Sequence, residues 1–160
     1  MQTVTKNLFK NLPENLSDKD FSKLFMYAMH QLYVLLQRHM EKVLAESKTL
    51  TFSQFWVLVC FIQCEGTTAS DVAKKMYITE ATLSLHLKRL MSQKLITKKK
   101  DKHNARKFIV SLTDKGKSEY EKAHKIVERE MKQIFKVVES ENRKKIITNF
   151  DIILNNLTNN

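Results

Sequence analysis

The sequence predicts a mainly α-helical chain with one small β-hairpin, and three observations predict it. Apolar residues recur at helical spacing through most of the 160 residues. Two short helical segments, separated by the three-residue break Tyr77, Ile78 and Thr79, occupy the stretch SDVAKKMYITEATLSLHLKRLMSQ. The stretch after it, LITKKKDKHNARKFIVSL, is strand-like at both ends and polar and basic between them. Helix, tight turn, longer helix and basic hairpin, in that order, make a winged helix-turn-helix. Long amphipathic segments precede and follow it. The expected architecture is therefore mainly α with a small β-wing, a winged helix-turn-helix flanked by N- and C-terminal dimerisation helices.

Residues 1–16 read as an N-terminal tail broken by Pro13. Ser17 then caps a long helix, with Leu16 and Phe21 placed as a hydrophobic staple and Leu24, Ala28, Leu32, Leu35 and Leu36 carrying an apolar stripe to Val43. This helix is expected to end near Ser47. Thr51 with Gln54 is a capping box, and Leu50 with Phe55 a second staple, so a second helix starts at Phe52 and runs to about Cys64. Its all-round apolarity predicts burial. Ser70, with Asp71 in the first turn, is the expected N-cap of a third helix ending near Met76, and Thr79 caps the fourth. Strands are expected at Leu95–Thr97 and Lys107–Leu112, the second with Phe108, Val110 and Leu112 on one face. Thr113 caps a fifth helix whose apolar face runs through Tyr120, Ala123, Val127 and Ile134 to Val138. Ser140 starts a sixth, striped by Ile146, Ile147, Phe150, Ile153, Leu154 and Leu157. Residues 17–48 and 113–160 are thus expected to form a helical dimerisation region around the winged helix-turn-helix unit at 50–112. Their apolar faces exceed what one winged-helix core can cover, and a symmetric homodimer is the economical explanation.

The functional candidates lie on the fourth helix and the hairpin. Leu83, Leu87 and Leu90 recur at i, i+4, i+7 and can pack inward. The opposite face then carries Ala81, Leu85, Lys88 and Arg89, flanked by Thr82 and Ser84, with Thr79 at the start. Small, hydrogen-bonding and basic side chains suit a DNA groove. In the hairpin, Lys98, Lys99, Lys100, Lys102, Arg106 and Lys107 oppose the single carboxylate of Asp101, which makes its tip electropositive.

The formal net charge of +11 argues for a polyanionic partner. It is concentrated at Lys88–Lys107, beside the groove-reading helix, and lacks the interleaved Trp, Phe and Leu of a membrane-surface helix, so double-stranded DNA is the expected partner. The start of the chain has no secretory pattern, and the apolar run Phe55–Ile62 is too short to span a bilayer. A cytoplasmic protein with no membrane association is expected. Cys60 and Cys64, at i, i+4, are read as free thiols packed as small hydrophobes, and His39 as a core histidine on the apolar stripe. The spacing of His30, His39, His86, His103 and His124 suggests no metal, and with only Gly66 and Gly116 there is no Gly-rich phosphate loop. No cofactor, metal or catalytic site is expected; the chain does not read as an enzyme. The competing reading is a winged-helix module for RNA or protein interaction.

LTFSQFWVL at 50–58, SDVAKKM at 70–76, TEATLSLHLKRL at 79–90, DKHNAR at 101–106 and SLTDKGK at 111–117 together resemble the MarR-type winged helix-turn-helix transcription regulators, in order and in spacing. The resemblance implies a homodimer on a pseudo-palindromic operator. It implies repression, released when a small-molecule or chemical signal binds between the dimerisation helices and the DNA-binding lobe. It also implies that the helix Glu80–Gln93 enters the major groove while Arg106 reaches the minor groove. The chain departs from the family pattern at Leu85, where a basic residue is usual, and at Asn104, where an aspartate is. Tyr77 and Lys94 stand where glycine is usual, and a positive φ at either would cost roughly 1 kcal/mol.

Overall fold

Side-chain caps decide where the first five helices of this computed structural model begin, and left-handed residues decide where three helices end. The structure describes Phe9 and residues 12–63, 68–100 and 108–159, with Lys100 described through its backbone. The described elements are α1 (Asp18–Glu46), α2 (Phe52–Gln63), α3 (Ala69–Lys75), α4 (Glu80–Ser92), β1 (Ile96–Lys100), β2 (Phe108–Leu112), α5 (Asp114–Phe135) and α6 (Ser140–Thr158). The chain divides into two units, Met1–His39 and Met40–Asn160.

Within the first unit α1 begins at Ser17, whose Oγ accepts the Asp20 N–H at 3.2 Å and donates to Asp20 Oδ2 at 2.7 Å. Along this part of the helix Phe21 and Phe25 stack with centroids 5.7 Å apart, and Leu32 and Leu35 on the predicted stripe are exposed. His39 is also exposed. The expectation of a core histidine is wrong, because a place on a helical stripe says nothing about what covers that stripe.

In the second unit α2 starts as expected: the Thr51 N–H donates to Gln54 Oε1 at 3.1 Å, and the Gln54 N–H to Thr51 Oγ1 at 3.2 Å. Leu50 and Phe55 are both buried. Burial of α2 is not all-round, however, since Trp56 is 47% exposed and Ile62 is exposed as well. α3 begins two residues earlier than expected. Its N-cap is Thr68, paired with Asp71 in a complete capping box, and Ser70 lies inside the first turn. The box requires an acid three residues after the cap, and Asp71 meets that condition for Thr68, not for Ser70. Thr79 and Thr113 cap α4 and α5 as expected. α6 starts at Ser140, but Glu139 holds the cap position and makes no side-chain capping bond. α5 stops at Phe135, so Val138 belongs to the following turn and does not extend the apolar face.

One core gathers every element from the end of α1 to α5. Leu44, Val57, Leu58, Val72, Ala73, Leu83, Leu87, Leu90, Leu95, Ile96, Val110 and Ala123 are buried in a single cluster. Each fully buried leucine in it stabilises by roughly 1.5–3 kcal/mol. The antiparallel pair β1–β2 runs from Ile96↔Leu112 to Lys100↔Phe108, and Thr68 makes an isolated bridge to Ile109. β1 is longer than expected: its lysines have loop-like composition, but β2 supplies a full ladder for them.

The helix ends share one device. At α1, α3 and α4 the residues Lys48, Tyr77 and Lys94 take φ of 51°, 52° and 60°. Each closes a Schellman motif: Thr49 N–H to Leu44 O, Ile78 N–H to Ala73 O, and Leu95 N–H to Leu90 O, at 3.3, 3.1 and 2.9 Å. After Lys94 the chain turns directly into β1. The Leu95 carbonyl accepts the Thr113 N–H at 3.0 Å, and a Cβ on Gly116 would stand 1.9 Å from that same oxygen. Gly116→Ala is therefore expected to destabilise by on the order of 1–3 kcal/mol through overpacking against backbone, read as a fall in the urea midpoint. At Lys94 the expectation reverses: Lys94→Gly should be more stable than Lys94→Ala by roughly 1 kcal/mol in the same measurement.

Candidate nucleic-acid interface

Three leucines orient α4. Leu83, Leu87 and Leu90 are buried, which turns the opposite side of the helix to solvent. Ala81, Thr82, Ser84, Leu85, Lys88 and Arg89 are all exposed there, Leu85 by 58%. The structure thus brings together on one face the α4 residues that the sequence nominated. Thr79 stands apart from them in role. Its Oγ1 accepts the Thr82 N–H at 3.1 Å and pairs with Thr82 Oγ1 at 2.9 Å, so the two hydroxyls share one hydrogen bond and leave one hydroxyl hydrogen free.

The start of α4 is joined to the start of α3 by Ser70 Oγ, which donates to Glu80 Oε1 at 2.7 Å. Between the two helices Tyr77 is 80% exposed at its positive φ, while its neighbours Met76 and Ile78 pack on the core. Among the described residues Lys88, Arg89, Lys98 and Lys99 form no ion pair. Their ammonium and guanidinium groups remain available to an external anion.

The wing separates its lysines by the period of the strand. Lys98 pairs with buried Val110 and so lies on the inner side, where its Nζ sits 4.2 Å from the centroid of the Phe108 ring. There it lines a cleft with Ser70, Glu80, Leu83 and Ser84. Lys99 pairs with Ile109 and points to the other face of the hairpin. The run Lys98–Lys99 therefore does not present one continuous cationic edge. Lys100 is the last residue of β1, with its side chain outside the described residues; Lys102 and Arg106, like Asn104 and Cys64, lie outside them too. Cys60 is buried, as its reading as a small hydrophobe requires.

Two polar links to α4 were not foreseen. Gln54 Nε2 donates to Gln93 Oε1 at 3.0 Å, and Lys115 Nζ donates to the Gln93 carbonyl at 3.0 Å. Farther out on α5, Glu119 Oε2 accepts from Thr49 Oγ1 at 3.1 Å. A hydrogen bond from Lys122 holds the Glu119 carboxyl below the usual range, burial opposes that shift, and Thr49 reinforces it. Burial pushes the Tyr120 phenol up; its ring stacks on Phe55 at 5.7 Å.

Among the described residues, six helices and a two-stranded wing, with the second helix of the helix-turn-helix exposed on one face, make a winged helix-turn-helix of the MarR fold. The structure is similar to that of AbsC, a MarR family transcriptional regulator from Streptomyces coelicolor, with TM-score 0.79, 19% identity, and 92% of this chain and 100% of that one covered. It is also similar to the transcriptional repressor CouR bound to a 23-mer DNA duplex, with TM-score 0.76, 23% identity and coverage of 88% and 99%. The sequence model described as transcriptional regulator SarA/Rot matches residues 39–126, more than half of the chain, and the chain belongs to that family. It is a family of transcriptional regulators, not of enzymes. The HTH-type transcriptional regulator YdgJ of Bacillus subtilis (strain 168) is 30% identical over 107 residues, 67% of this chain; the match spans 65% of that relative's length, just under two thirds.

Thr79 tests the local part of this geometry. Thr79→Ala removes the acceptor for the Thr82 N–H and is expected to cost about 1 kcal/mol of stability, whereas Thr79→Ser should be close to neutral. Chemical denaturation of the two variants checks it.

Proposed function

We propose that this chain is a homodimeric, sequence-specific double-stranded-DNA-binding regulator that acts as a repressor from a pseudo-palindromic operator. The observation that carries the reading is the exposed face of α4, free of intramolecular ion pairs and flanked by the basic wing strand. Residues 50–112 are the DNA-binding domain and residues 17–48 and 113–160 the dimerisation region. α4 enters the major groove, with Thr82, Ser84 and Leu85 toward base edges and Lys88, Arg89, Lys98 and Lys99 toward phosphates. Thr79 and Ala81 serve the start of that helix. Lys100 and Lys102 add phosphate contacts, and Arg106 takes the minor-groove position that the family resemblance implies.

Dimerisation is supported by α6, where Ile146, Ile147, Ile152, Leu154 and Leu157 are exposed, Ile147 by 69%. A small-molecule signal is supported by a cavity of about 550 Å³ lined by Phe61, Ile62, Val110, Leu112, Lys117 and Tyr120, which joins α2, the wing and α5. An occupant there would press on both the wing and the helix that carries α4's end. No helix among the described residues is long and apolar enough to cross a membrane, which is consistent with action on DNA in the cytoplasm.

Selection of bound sequences from random duplex DNA, together with sedimentation of the free protein, tests the reading. The expected result is a dimer and a two-fold site with half-sites about 34–36 Å apart. A monomer, a site without symmetry, or preference for RNA over duplex DNA would turn the reading toward an RNA- or protein-interaction module. Leu85 gives a sharper test. A leucine can touch a thymine methyl but cannot hydrogen-bond a guanine edge, so the half-site is expected to favour A·T beneath it, and Leu85→Arg to shift selection toward G. The same consensus from the variant would show that Leu85 does not face the bases.

A further inference from the structure

The amide of Gln54 serves two purposes, and only one of them needs an amide. Gln54 is a buried polar residue, 6% exposed. Its Oε1 accepts the Thr51 N–H in the capping box of α2, a role that a glutamate would fill equally well. Its Nε2 is a donor, which a glutamate lacks, and it is spent on Gln93 Oε1 at 3.0 Å. Gln93 is the C-cap of α4, and its carbonyl takes the Lys115 Nζ from the first turn of α5 at 3.0 Å. The start of α2, the end of α4 and the start of α5 therefore meet at one residue. The other end of α4 has its own link, Ser70 Oγ to Glu80 at 2.7 Å.

Leucine packing alone leaves a helix free to slide or rotate a little, because apolar contact is not directional. A hydrogen bond is directional, and one at each end of the helix fixes both its axial position and its rotation. We propose that Gln54 and Gln93 are positioning residues for base reading, setting α4 against α2 and α5 so that its short side chains meet the base edges in register. This rests on the DNA-binding reading above. Neither residue touches DNA. Both act through the placement of α4.

The experiment uses the full chain and the duplex recovered for the wild type, with a scrambled duplex beside it, at several salt concentrations. Gln93→Met removes the acceptor for Gln54 while leaving the capping box and the Gln93 carbonyl in place. Gln93→Glu keeps an acceptor. The expected result is that Gln93→Met weakens the selected duplex on the order of tenfold and leaves the scrambled duplex and the salt slope unchanged, as for the loss of one base contact. Gln93→Glu, with its added negative charge, should weaken both duplexes alike and keep their ratio. Thermal melting of each variant shows whether it is folded. If Gln93→Met keeps the wild-type ratio of selected to scrambled binding, or if both variants lose that ratio equally, the positioning role is overturned. A wild-type protein with no preference among duplexes would instead overturn the DNA-binding reading, and this inference with it, before any variant is measured.

Discussion

The backbone carbonyl of Leu95 is the point on which the winged helix-turn-helix depends. Leu95 closes the end of α4 through its N–H to Leu90 O, and its buried side chain enters the core. Its carbonyl then accepts the Thr113 N–H, so the third residue after α4 is tied to the last residue before α5. Thr113 Oγ1 adds a bond to the neighbouring Lys94 carbonyl at 2.8 Å and receives the Gly116 N–H at 2.9 Å. Gly116 lies so close to the Leu95 oxygen that no side chain fits between them. In one small volume the chain ends a helix, starts a strand, ends its partner strand and starts the next helix. The wing can hang outward because both its feet stand there.

That arrangement places unusual demands on backbone conformation in a chain with only two glycines. Lys48, Tyr77 and Lys94 accept the left-handed conformation that glycine would take without strain. Each costs roughly 1 kcal/mol, and each closes two backbone hydrogen bonds that would otherwise be left at a helix end. At α4 the motif gains more, because Leu90 and Leu95, which flank the turn, are both buried in the core. At α3 the return is smaller, because Ile78 is only half-buried against the core and its partner across the turn is the small Ala73. The helix-turn-helix turn is thus held by backbone bonds and by Ser70 with Glu80 more than by packing.

The sequence made legible what is local. A residue and its partner three positions on define the caps of α2, α4 and α5, and a repeat of leucines defines the buried face of α4; both are readable without a fold. The cap of α3 obeys the same rule, since Thr68 with Asp71 has the spacing that Ser70 lacks. The lysine run of β1 was harder, because its strand conformation depends on β2 and on the Phe108 ring beneath Lys98. Gln54 with Gln93 was out of reach. The two residues are 39 positions apart and meet only because α2 and α4 cross where they do. His39 failed for a related reason, in that periodicity gives a direction but not a cover.

The composition of the α4 face explains why placement matters more here than in a helix armed with long readers. An arginine reaches a guanine edge across a gap and can absorb a small displacement of its helix by changing rotamer. Ala81, Thr82, Ser84 and Leu85 have no such reach, so base contact through them requires the backbone of α4 itself to lie close to the groove floor. The basic residues at the far end of the face, Lys88 and Arg89, and those of the wing can bring the helix to DNA from any sequence, because phosphates are alike everywhere. On the proposed reading, affinity and discrimination reside in different residues: charge draws the helix in, and short side chains read only if the helix arrives in register. Under the proposed DNA-binding reading, a face built this way makes the directional bonds at both ends of α4 the determinants of specificity, although none of them lies on that face.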